Sequence, residues 1–359
     1  MDTNCKIDIS KIKLAGRTEF YVNASADSAM SLNDGTKRTI EEFNLSPINH
    51  FILGIGTSSS STSKESSKQA QPLTWLTGNR NDSKGIIFSQ LTAVQDISLK
   101  PISFKGQIVG NCYEDDYARY IRLVGLLPDD LSENRENQTL SLLNNMRDCL
   151  VEQGMTFQHV IRTWFYLDDL LEWYGDFNVW RTHFFHREKV FDGLVPASTG
   201  IGTANHCGAE IIGDLIAVLP KSDELIIERA KSPLQGSAMD YKSSFSRGVE
   251  IKLPGCNTLY ISGTASIDKA GETLFLDDAE KQIKMTMEVV TEMLNVANMN
   301  WRDVKRGIAY FKHGDYVPYF IKYCEGHKIN HSPIAIFIAD VCRDDLLFEI
   351  EVDSVQLGC

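Results

Sequence analysis

The chain has 359 residues and a mass of 40.3 kDa, with 43% hydrophobic and 23% charged residues. This length and composition are typical of a globular protein of two or three domains, and they exclude a disordered chain or a coiled coil. The 48 acidic residues outnumber the 36 lysines and arginines, which gives a net charge of −12. Such an acidic chain argues against binding to nucleic acid through phosphate contacts.

The sequence contains no signal for a membrane or for secretion. No run of about 18 apolar residues is present, so we expect no membrane span. The first residues, MDTNCKIDISKIKL, lack the apolar core and the cleavage site of a secretory signal. The eight cysteines are scattered without a CxxC pair, which favours reduced thiols in a cytoplasmic protein over disulfides or structural zinc.

The N-terminal hundred residues carry two strand-like runs, at 19–24 and 50–56, followed by a Ser-rich stretch at 57–71. The composition of that stretch, TSSSSTSKESSKQAQ, predicts an exposed mobile loop or linker. From 84 to 127, apolar runs alternate with glycine and polar breaks, which predicts further strands. Residues 1–100 therefore form an N-terminal segment whose fold the local pattern leaves open.

A helix and strand pattern follows in which apolar residues of the first helix recur with a period of about 3.6. Gly154 is the expected end of that helix, because glycine favours helix C-termini. The predicted elements are, in order, a helix over 138–155, a strand over 159–167, a helix over 169–185 and closing strands within 196–202 and 210–220. With the strands before them, they give the order β-β-α-β-α-β.

The same order returns in the last third of the chain. Its elements are strands over 241–251 and 258–267, a helix over 277–299, a strand over 303–311, a helix over 316–327 and closing strands within 334–342 and 346–355. Acidic residues at the start of the first of these helices suit the helix dipole.

An offset of 144 residues relates the two sets. Over 29 ungapped positions it gives six identities, which pair Gln138 with Gln282, Leu150 with Leu294, Met155 with Met299, Val160 with Val304, Arg162 with Arg306 and Tyr166 with Tyr310. This duplication predicts two domains, over 101–222 and 232–359. The tetrapeptide GIGT occurs at 54–57 and at 200–203, so a third, degenerate copy within residues 1–100 is an open alternative.

Separated motifs resemble the YjgF/RidA family over about 103–220 and 232–357. They include YISGTASID at 260–268 and the closing EIE at 349–351. The resemblance implies an α+β fold of tandem β-β-α-β-α-β domains, a mixed sheet with helices on one face. It also implies clefts between three units, supplied by a homotrimer or by a monomeric pseudo-trimer. Family members that hydrolyse enamines and imines use a strand arginine, but Ser198 and about Ile334 stand at that position here.

Four motifs point to a narrower group, the chorismatases. They are PASTGIG at 196–202, YKSSFSRG at 241–248, SGTAS at 262–266 and CRDDLLFEIE at 342–351. The resemblance implies a cofactor-free, metal-free enzyme that removes pyruvate from chorismate, a small-molecule substrate, in secondary metabolism. The alternatives are a RidA-like enamine or imine hydrolase and a non-catalytic protein that binds a small acid.

Cleavage of the enol ether of chorismate requires a general acid, and a glutamate with a raised pKa in a dry cleft suits that role. Glu349 matches the catalytic glutamate of the family. Glu351, two residues along the strand and on the same face, is the second candidate. Gly213 stands at about the corresponding position of the first repeat, so we expect the acid in the second domain alone.

The two carboxylates of chorismate require cationic partners, and the planar fork of arginine binds carboxylates in a bidentate manner. The resemblance favours Arg162 and Arg247 as the substrate-binding arginines, with Tyr241, Thr199 and Gly200 completing the pocket. Arg181, Arg306 and Arg343 are further candidates, with a surface ion pair as the alternative for the last two. His183 and His186 are three residues apart on a predicted helix, but without a third ligand we expect no metal site.

Two small residues are expected to influence the product. In the resemblance, a cysteine at the position of Cys342 is typical of the group that forms 3-hydroxybenzoate, in which the substrate's own hydroxyl captures the cation. The other group adds water and releases a dihydroxycyclohexadiene carboxylate. Ala265 is a second small residue expected to influence which of the two products forms. The sequence does not indicate which product it favours.

Overall fold

The structure is a computed structural model that describes residues 5–14, 16–54, 72–78, 87–241 and 243–358. The Ser-rich stretch 57–71 lies outside the described residues. Three six-stranded mixed sheets and five α-helices make up the described part of the chain. This architecture confirms the predicted α+β class.

Residues 5–95 supply most of the first sheet. Its elements are β1 (Cys5–Leu14), β2 (Arg17–Ala26), α1 (Ala29–Glu42), β3 (Ser46–Leu53), β4 (Thr74–Gly78) and β5 (Ile87–Gln95). The sequence pattern does not predict α1, because its apolar residues are few and it contains Gly35 and two threonines that favour helix weakly. Ser28 caps it by accepting a hydrogen bond from the Ser31 amide at 3.2 Å.

Residues 100–220 supply the second sheet and two helices. Its elements are β6 (Lys100–Phe104), β7 (Gln107–Glu114), β8 (Ala118–Leu126), α2 (Arg135–Glu152), β9 (Val160–Leu167), α3 (Leu170–Arg187), β10 (Ala197–Gly202), β11 (Ala204–Asn205) and β12 (Ile211–Pro220). The two-residue strand β11 leaves this sheet and pairs with β4 at the edge of the first. Gly154 follows α2 with a φ of +72°, which fits its predicted role as the helix end.

Residues 226–357 supply the third sheet. Its elements are β13 (Ile226–Arg229), β14 (Gly248–Leu253), β15 (Cys256–Ala265), α4 (Ala279–Val296), β16 (Val304–Phe311), α5 (Val317–Gly326), β17 (Ile334–Ile338) and β18 (Phe348–Leu357). The helices α4 and α5 pack against each other, and α4 also packs on β15 and β18.

Five strands run in the same spatial order in each sheet. These orders are β1-β2-β5-β3-β4, β7-β8-β12-β9-β10 and β14-β15-β18-β16-β17. Apolar side chains from all three sheets meet in one buried cluster that includes Phe51, Trp164 and Phe337. The helices α2 and α4 lie on the opposite faces of their sheets, over separate cores. The three sheets therefore surround a shared centre within one chain.

The 144-residue offset has a structural counterpart. Gln138 of α2 is buried and accepts a hydrogen bond from the Glu210 amide at 3.0 Å, at the start of the closing strand. Gln282 of α4 is also buried and accepts one from the Leu347 amide at 2.9 Å. Each glutamine joins the outer helix to the same point of its own sheet. The domain limits 101–222 and 232–359 stay a prediction.

One expectation from the sequence is wrong in position. The strand predicted over 241–251 begins only at Gly248, because the segment before it crosses to the second sheet. There the Ser246 amide donates to the Pro196 carbonyl at 2.9 Å, and Ser246 pairs with Ala197. Of the GIGT string at 54–57, Gly54 follows β3 and the other three residues lie outside the described part of the chain.

Candidate active site

A cleft of about 250 Å³ lies between the second and third sheets. The second sheet's part of the chain contributes α3 and β10, whereas the third contributes β15, β18 and the loop before β18. Its lining residues are Tyr174, Asn178, Arg181, Ser198, Gly200, Ser243, Phe245, Arg247, Gly263, Ala265, Ile267, Cys342, Arg343, Leu346 and Glu349. Among the predicted residues, Glu349, Arg247, Gly200, Cys342 and Ala265 are thus brought together.

Glu349 is the acidic residue of this lining. It lies on β18 between Ala265 of β15 and Tyr310 of β16, and it is 4% exposed. Burial and, to a smaller extent, the nearby Glu351 raise the pKa of its carboxyl group to about 8, although Arg162 and Arg247 oppose the shift. Glu349 is therefore protonated at neutral pH and has a proton to donate.

Gly263 of β15 makes room for that carboxyl group. A Cβ atom placed on Gly263 would lie 1.8 Å from Oε1 of Glu349, far inside van der Waals contact. Any larger residue at this position would displace the carboxyl group. The sequence analysis quoted Gly263 within SGTAS without assigning it a role. The available signal was a glycine inside a strand, which often marks a close approach.

Glu351 lies on the same face of β18 and is fully buried. Nη2 of Arg162 and Nη2 of Arg306 lie 2.8 and 2.9 Å from its two oxygens. Thr199 and Trp164 also donate to it, at 2.6 Å from Oγ1 and 2.8 Å from Nε1. These cations and donors lower the pKa of Glu351, so this carboxylate stays ionised and is unsuited to deliver a proton.

Arg162 and Thr199 lie behind the cleft rather than in its lining. Arg162 is fully buried, and its Nη2 donates to Oγ1 of Thr199 at 2.7 Å as well as pairing with Glu351. The Gly263 amide donates to the same Thr199 oxygen at 3.0 Å. Both residues therefore fix the Glu351 carboxylate and the Gly263 backbone beside Glu349. Their predicted contact with a substrate stays a prediction.

Three arginines line the cleft: Arg181, Arg247 and Arg343. Arg181 donates to Oδ1 of Asn178 at 2.6 Å and stacks on Phe177, with 5.0 Å from its Cζ to the ring centroid. Arg247 donates from Nε to the Gly236 carbonyl at 3.1 Å. Arg343 donates to the Gly271 carbonyl. The described lining thus contains three arginines and one acidic residue, Glu349, so cationic side chains predominate in it.

The other predicted residues have mixed placements. Gly200 faces Tyr174, whose ring would lie 3.1 Å from a Cβ atom added there. The Tyr241 side chain lies outside the described part of the chain. Ala265 stands directly across from Glu349 on the neighbouring strand. Burial raises the pKa of the Cys342 thiol to about 12, so this thiol is neutral. Arg306 is buried beside Glu351 and Asp353 rather than at the surface.

Strand pairing identifies the positions in the other two sheets that are equivalent to Glu349, and neither of them carries an acidic residue. Glu349 pairs with Tyr310, and the same pair in the second sheet joins Ile212 to Tyr166. The corresponding residue of the first sheet is Phe88, paired with Leu53. The predicted counterpart Gly213 is therefore wrong by one residue, because the ungapped offset does not extend into the closing strand. Asp214, the counterpart of Glu351, instead accepts from Thr74 at 2.8 Å.

The described residues contain no group of three or more His, Cys, Asp and Glu side chains that could hold a metal ion. His183 and His186 lie on α3, where neither belongs to the cleft lining. None of the described helices combines the length and the apolar character that a membrane crossing needs.

Comparison with known proteins supports the resemblance seen in the motifs. No family model matches the chain. A chorismatase of Streptomyces rapamycinicus is 26% identical over 220 residues, which cover 54% of this chain and 64% of that protein. A 3-hydroxybenzoate synthase of Streptomyces hygroscopicus is 25% identical over 233 residues, covering 57% and 66% respectively.

A solved structure extends this similarity to the fold. The crystal structure of a chorismatase matches with a TM-score of 0.64 and 19% identity, over 86% of this chain and 93% of that one. The chain is thus similar in sequence to chorismatases and has the fold of one, which confirms the predicted resemblance. The alignments span 64% and 66% of the two curated relatives' length.

Proposed function

We propose that this chain is a cofactor-free chorismatase that removes pyruvate from chorismate. The observation that carries the proposal is the buried Glu349, whose pKa burial raises to about 8, in a cleft lined by three arginines. A neutral acid and several cations are what a dianionic substrate with an acid-labile enol ether requires. The similarity to chorismatases supports the same reaction class.

In the proposed mechanism, Glu349 transfers its proton to the terminal methylene carbon of the enol ether. This step forms the methyl group of the future pyruvate and leaves an oxocarbenium centre. For 3-hydroxybenzoate, the neighbouring ring hydroxyl attacks the ring carbon that bears the ether. The C–O bond of that carbon breaks, its electron pair forms the carbonyl of the departing pyruvate, and the hydroxyl proton is released. The three-membered ring ether left behind then opens and gains a proton on oxygen while the ring carbon loses one, which makes the ring aromatic. In the water route, water adds to the oxocarbenium carbon and the resulting hemiketal releases the ring alcohol and pyruvate. The Glu349 carboxylate then regains a proton, while the charge on Glu351 stays paired with Arg162 and Arg306.

The arginines of the cleft are proposed to bind the two substrate carboxylates. Arg181 and Arg247 approach from opposite units, and Arg343 lies in the loop before β18. Guanidinium groups held by carbonyl and amide oxygens are preorganised, so less entropy is lost when they bind an anion. We assign the binding role to these three residues in preference to Arg162, because they line the cleft and Arg162 lies behind it.

For the product, we propose 3-hydroxybenzoate rather than the dihydroxycyclohexadiene carboxylate. Cys342 and Ala265 both line the cleft next to Glu349, where their size decides whether water reaches the cation. One of the similar proteins is named a 3-hydroxybenzoate synthase. Formation of 3-hydroxybenzoate needs no water, whereas the dihydroxy acid takes up one molecule.

The decisive experiment is incubation of the purified protein with chorismate. Pyruvate would be followed with lactate dehydrogenase, and the aromatic product would be identified by mass spectrometry. Pyruvate with 3-hydroxybenzoate supports both the reaction and the role of Cys342. Pyruvate with a dihydroxy acid keeps the reaction but rejects that role, and the absence of pyruvate rejects the chorismatase proposal.

The pH dependence of kcat/KM follows from the raised pKa of Glu349 in the ligand-free protein. The reactive form is protonated, so kcat/KM should be constant below the pKa and fall by about tenfold per pH unit above about pH 8. An ordinary glutamate would already lose activity above about pH 4.3. A rate that rises between pH 7 and pH 9 would show that the carboxylate, not the acid, is the active form.

We also propose that a single chain is enough for activity, as a monomeric pseudo-trimer. Every lining residue of the cleft comes from one chain, whose three sheets surround a shared centre. The homotrimer is the alternative arrangement. The RidA-like alternative is disfavoured, because Ser198 of β10 and Ile334 of β17 occupy the arginine position in the two repeats.

A further inference from the structure

A second cavity of about 340 Å³ adjoins the active-site cleft. It lies between the segment that follows β13 and the residues just before β14, and Arg247 lines both cavities. The Gly236 carbonyl, which accepts from Nε of Arg247, belongs to this second lining. Arg247 is therefore a lining residue that the two spaces share.

The charge of this second cavity is opposite to that of the protein. Arg229, Lys231 and Arg247 line it, and none of its described lining residues is acidic. The whole chain carries a net charge of −12. A lining with three cationic residues and no described acidic residue therefore differs from the chain as a whole. The adjacent Glu228 pairs with Lys252 at 2.5 Å and does not line the cavity.

Polar groups without partners also line the cavity. Oγ of Ser232 is buried and has no hydrogen-bond partner among the described residues. A buried hydroxyl in that state costs free energy unless it meets a polar ligand or water. A small carboxylate in the cavity would lie among the three cations and, by displacing the atoms that cover Ser232, would accept a hydrogen bond from this hydroxyl.

We propose that this cavity is a vestibule that binds small carboxylates on their way into or out of the active site. Its cations would raise the local concentration of anions beside Arg247, as charged clefts do. The proposal rests on the proposed function for the identity of the carboxylates, which are the incoming chorismate and the released pyruvate. The binding of a carboxylate itself is independent of that function.

The test uses the double variant Arg229→Glu/Lys231→Glu. Its matched control is Lys13→Glu/Lys37→Glu, which changes the net charge equally at exposed lysines of the first sheet's part of the chain. We expect kcat/KM for chorismate at low salt to fall about tenfold in the double variant, with kcat within twofold of the parent. Its kcat/KM should also depend less steeply on ionic strength than that of the control.

Calorimetric titration with pyruvate tests the site without turnover. We expect the affinity for pyruvate to fall about tenfold in the double variant, and about fivefold in Ser232→Ala, which removes no charge. An effect on chorismate kcat/KM alone assigns the vestibule to substrate entry, and an effect on pyruvate alone assigns it to product release. Equal behaviour of the double variant and its control in both measurements overturns the vestibule.

Because the pyruvate titration needs no activity, the two proposals fail separately. A protein that releases no pyruvate from chorismate but loses pyruvate affinity in both variants would keep the vestibule and reject the chorismatase. A protein that turns chorismate over, with kcat/KM and pyruvate affinity unaltered by both variants, would keep the enzyme and reject the vestibule.

Discussion

Replacement of Glu349 with glutamine is expected to lower kcat for chorismate by about 10²- to 10⁴-fold, the usual contribution of a general acid. Glutamine has nearly the same shape but no acidic proton. It keeps the neutral charge that Glu349 carries at pH 7, because burial raises the pKa of that carboxyl group to about 8. Chorismate binding should therefore survive, with a Kd within about threefold of the parent value in a calorimetric titration.

The same variant should be at least as stable as the parent protein. The pKa of Glu349 rises from 4.5 to about 8 on folding, so the folded state holds a proton that the unfolded state releases between these values. Raising the pH through this interval therefore destabilises the fold, and glutamine removes that dependence. A matched control is the exposed Glu325→Gln, which should change neither kcat nor Tm. Full turnover by the Glu349 variant would remove this residue from the mechanism.

Two carboxyl groups on one strand face thus have opposite protonation states, for reasons that the packing explains. Glu351 meets two arginines, a tryptophan and a threonine, all directed at its oxygens. Glu349 lies next to that fixed negative charge in a buried position, which favours its neutral form. This arrangement suits Glu349 to donate the proton. Glu351 stays charged and holds the side chains that surround it in place.

Much of the fold could be predicted from sequence, because the two repeats follow strong local rules. Apolar periodicity is clear in α4, the buried residues of α2 recur with a helical period, and the Gln138–Gln282 pair marks equivalent points of the two sheets. The closing EIE motif predicts Glu349 as a site residue, and Glu349 lines the cleft. The first sheet is harder to predict from sequence, because α1 has few apolar residues. Its likeness to the other two sheets lies mainly in the order of its strands, not in sequence identity.

The rest of the site depends on contacts between distant parts of the chain. Arg162 sits on a predicted strand, but nothing local shows that it turns inward to Glu351, 189 residues away. Arg181 enters the cleft because α3 packs beside β10, which a helical period alone does not reveal. Arg247 reaches the cleft because its segment pairs with the second sheet before β14 begins.

Substitution of Gly263 by alanine is expected to reduce kcat about 100-fold while leaving the fold intact. The added Cβ atom would lie 1.8 Å from Oε1 of Glu349 and 3.3 Å from Cγ2 of Thr199. The end of the Glu349 side chain can move aside more readily than the strand, so the carboxyl group leaves its position. A misplacement of about 1 Å in a catalytic group can cost about 10²-fold in rate.

The measurements are kcat, KM and Tm, with Gly175→Ala as the matched control. Gly175 lies within α3, and nothing approaches within 4 Å of a Cβ atom added there. That control should keep full activity and gain about 0.5–1 kcal/mol of stability, because alanine favours a helix interior over glycine. In the Gly263 variant, kcat should fall without a matching fall in Tm. Unchanged kcat would show that the position of the Glu349 carboxyl group does not limit the reaction. A large loss of Tm would show that the strand, not the carboxyl group, had moved.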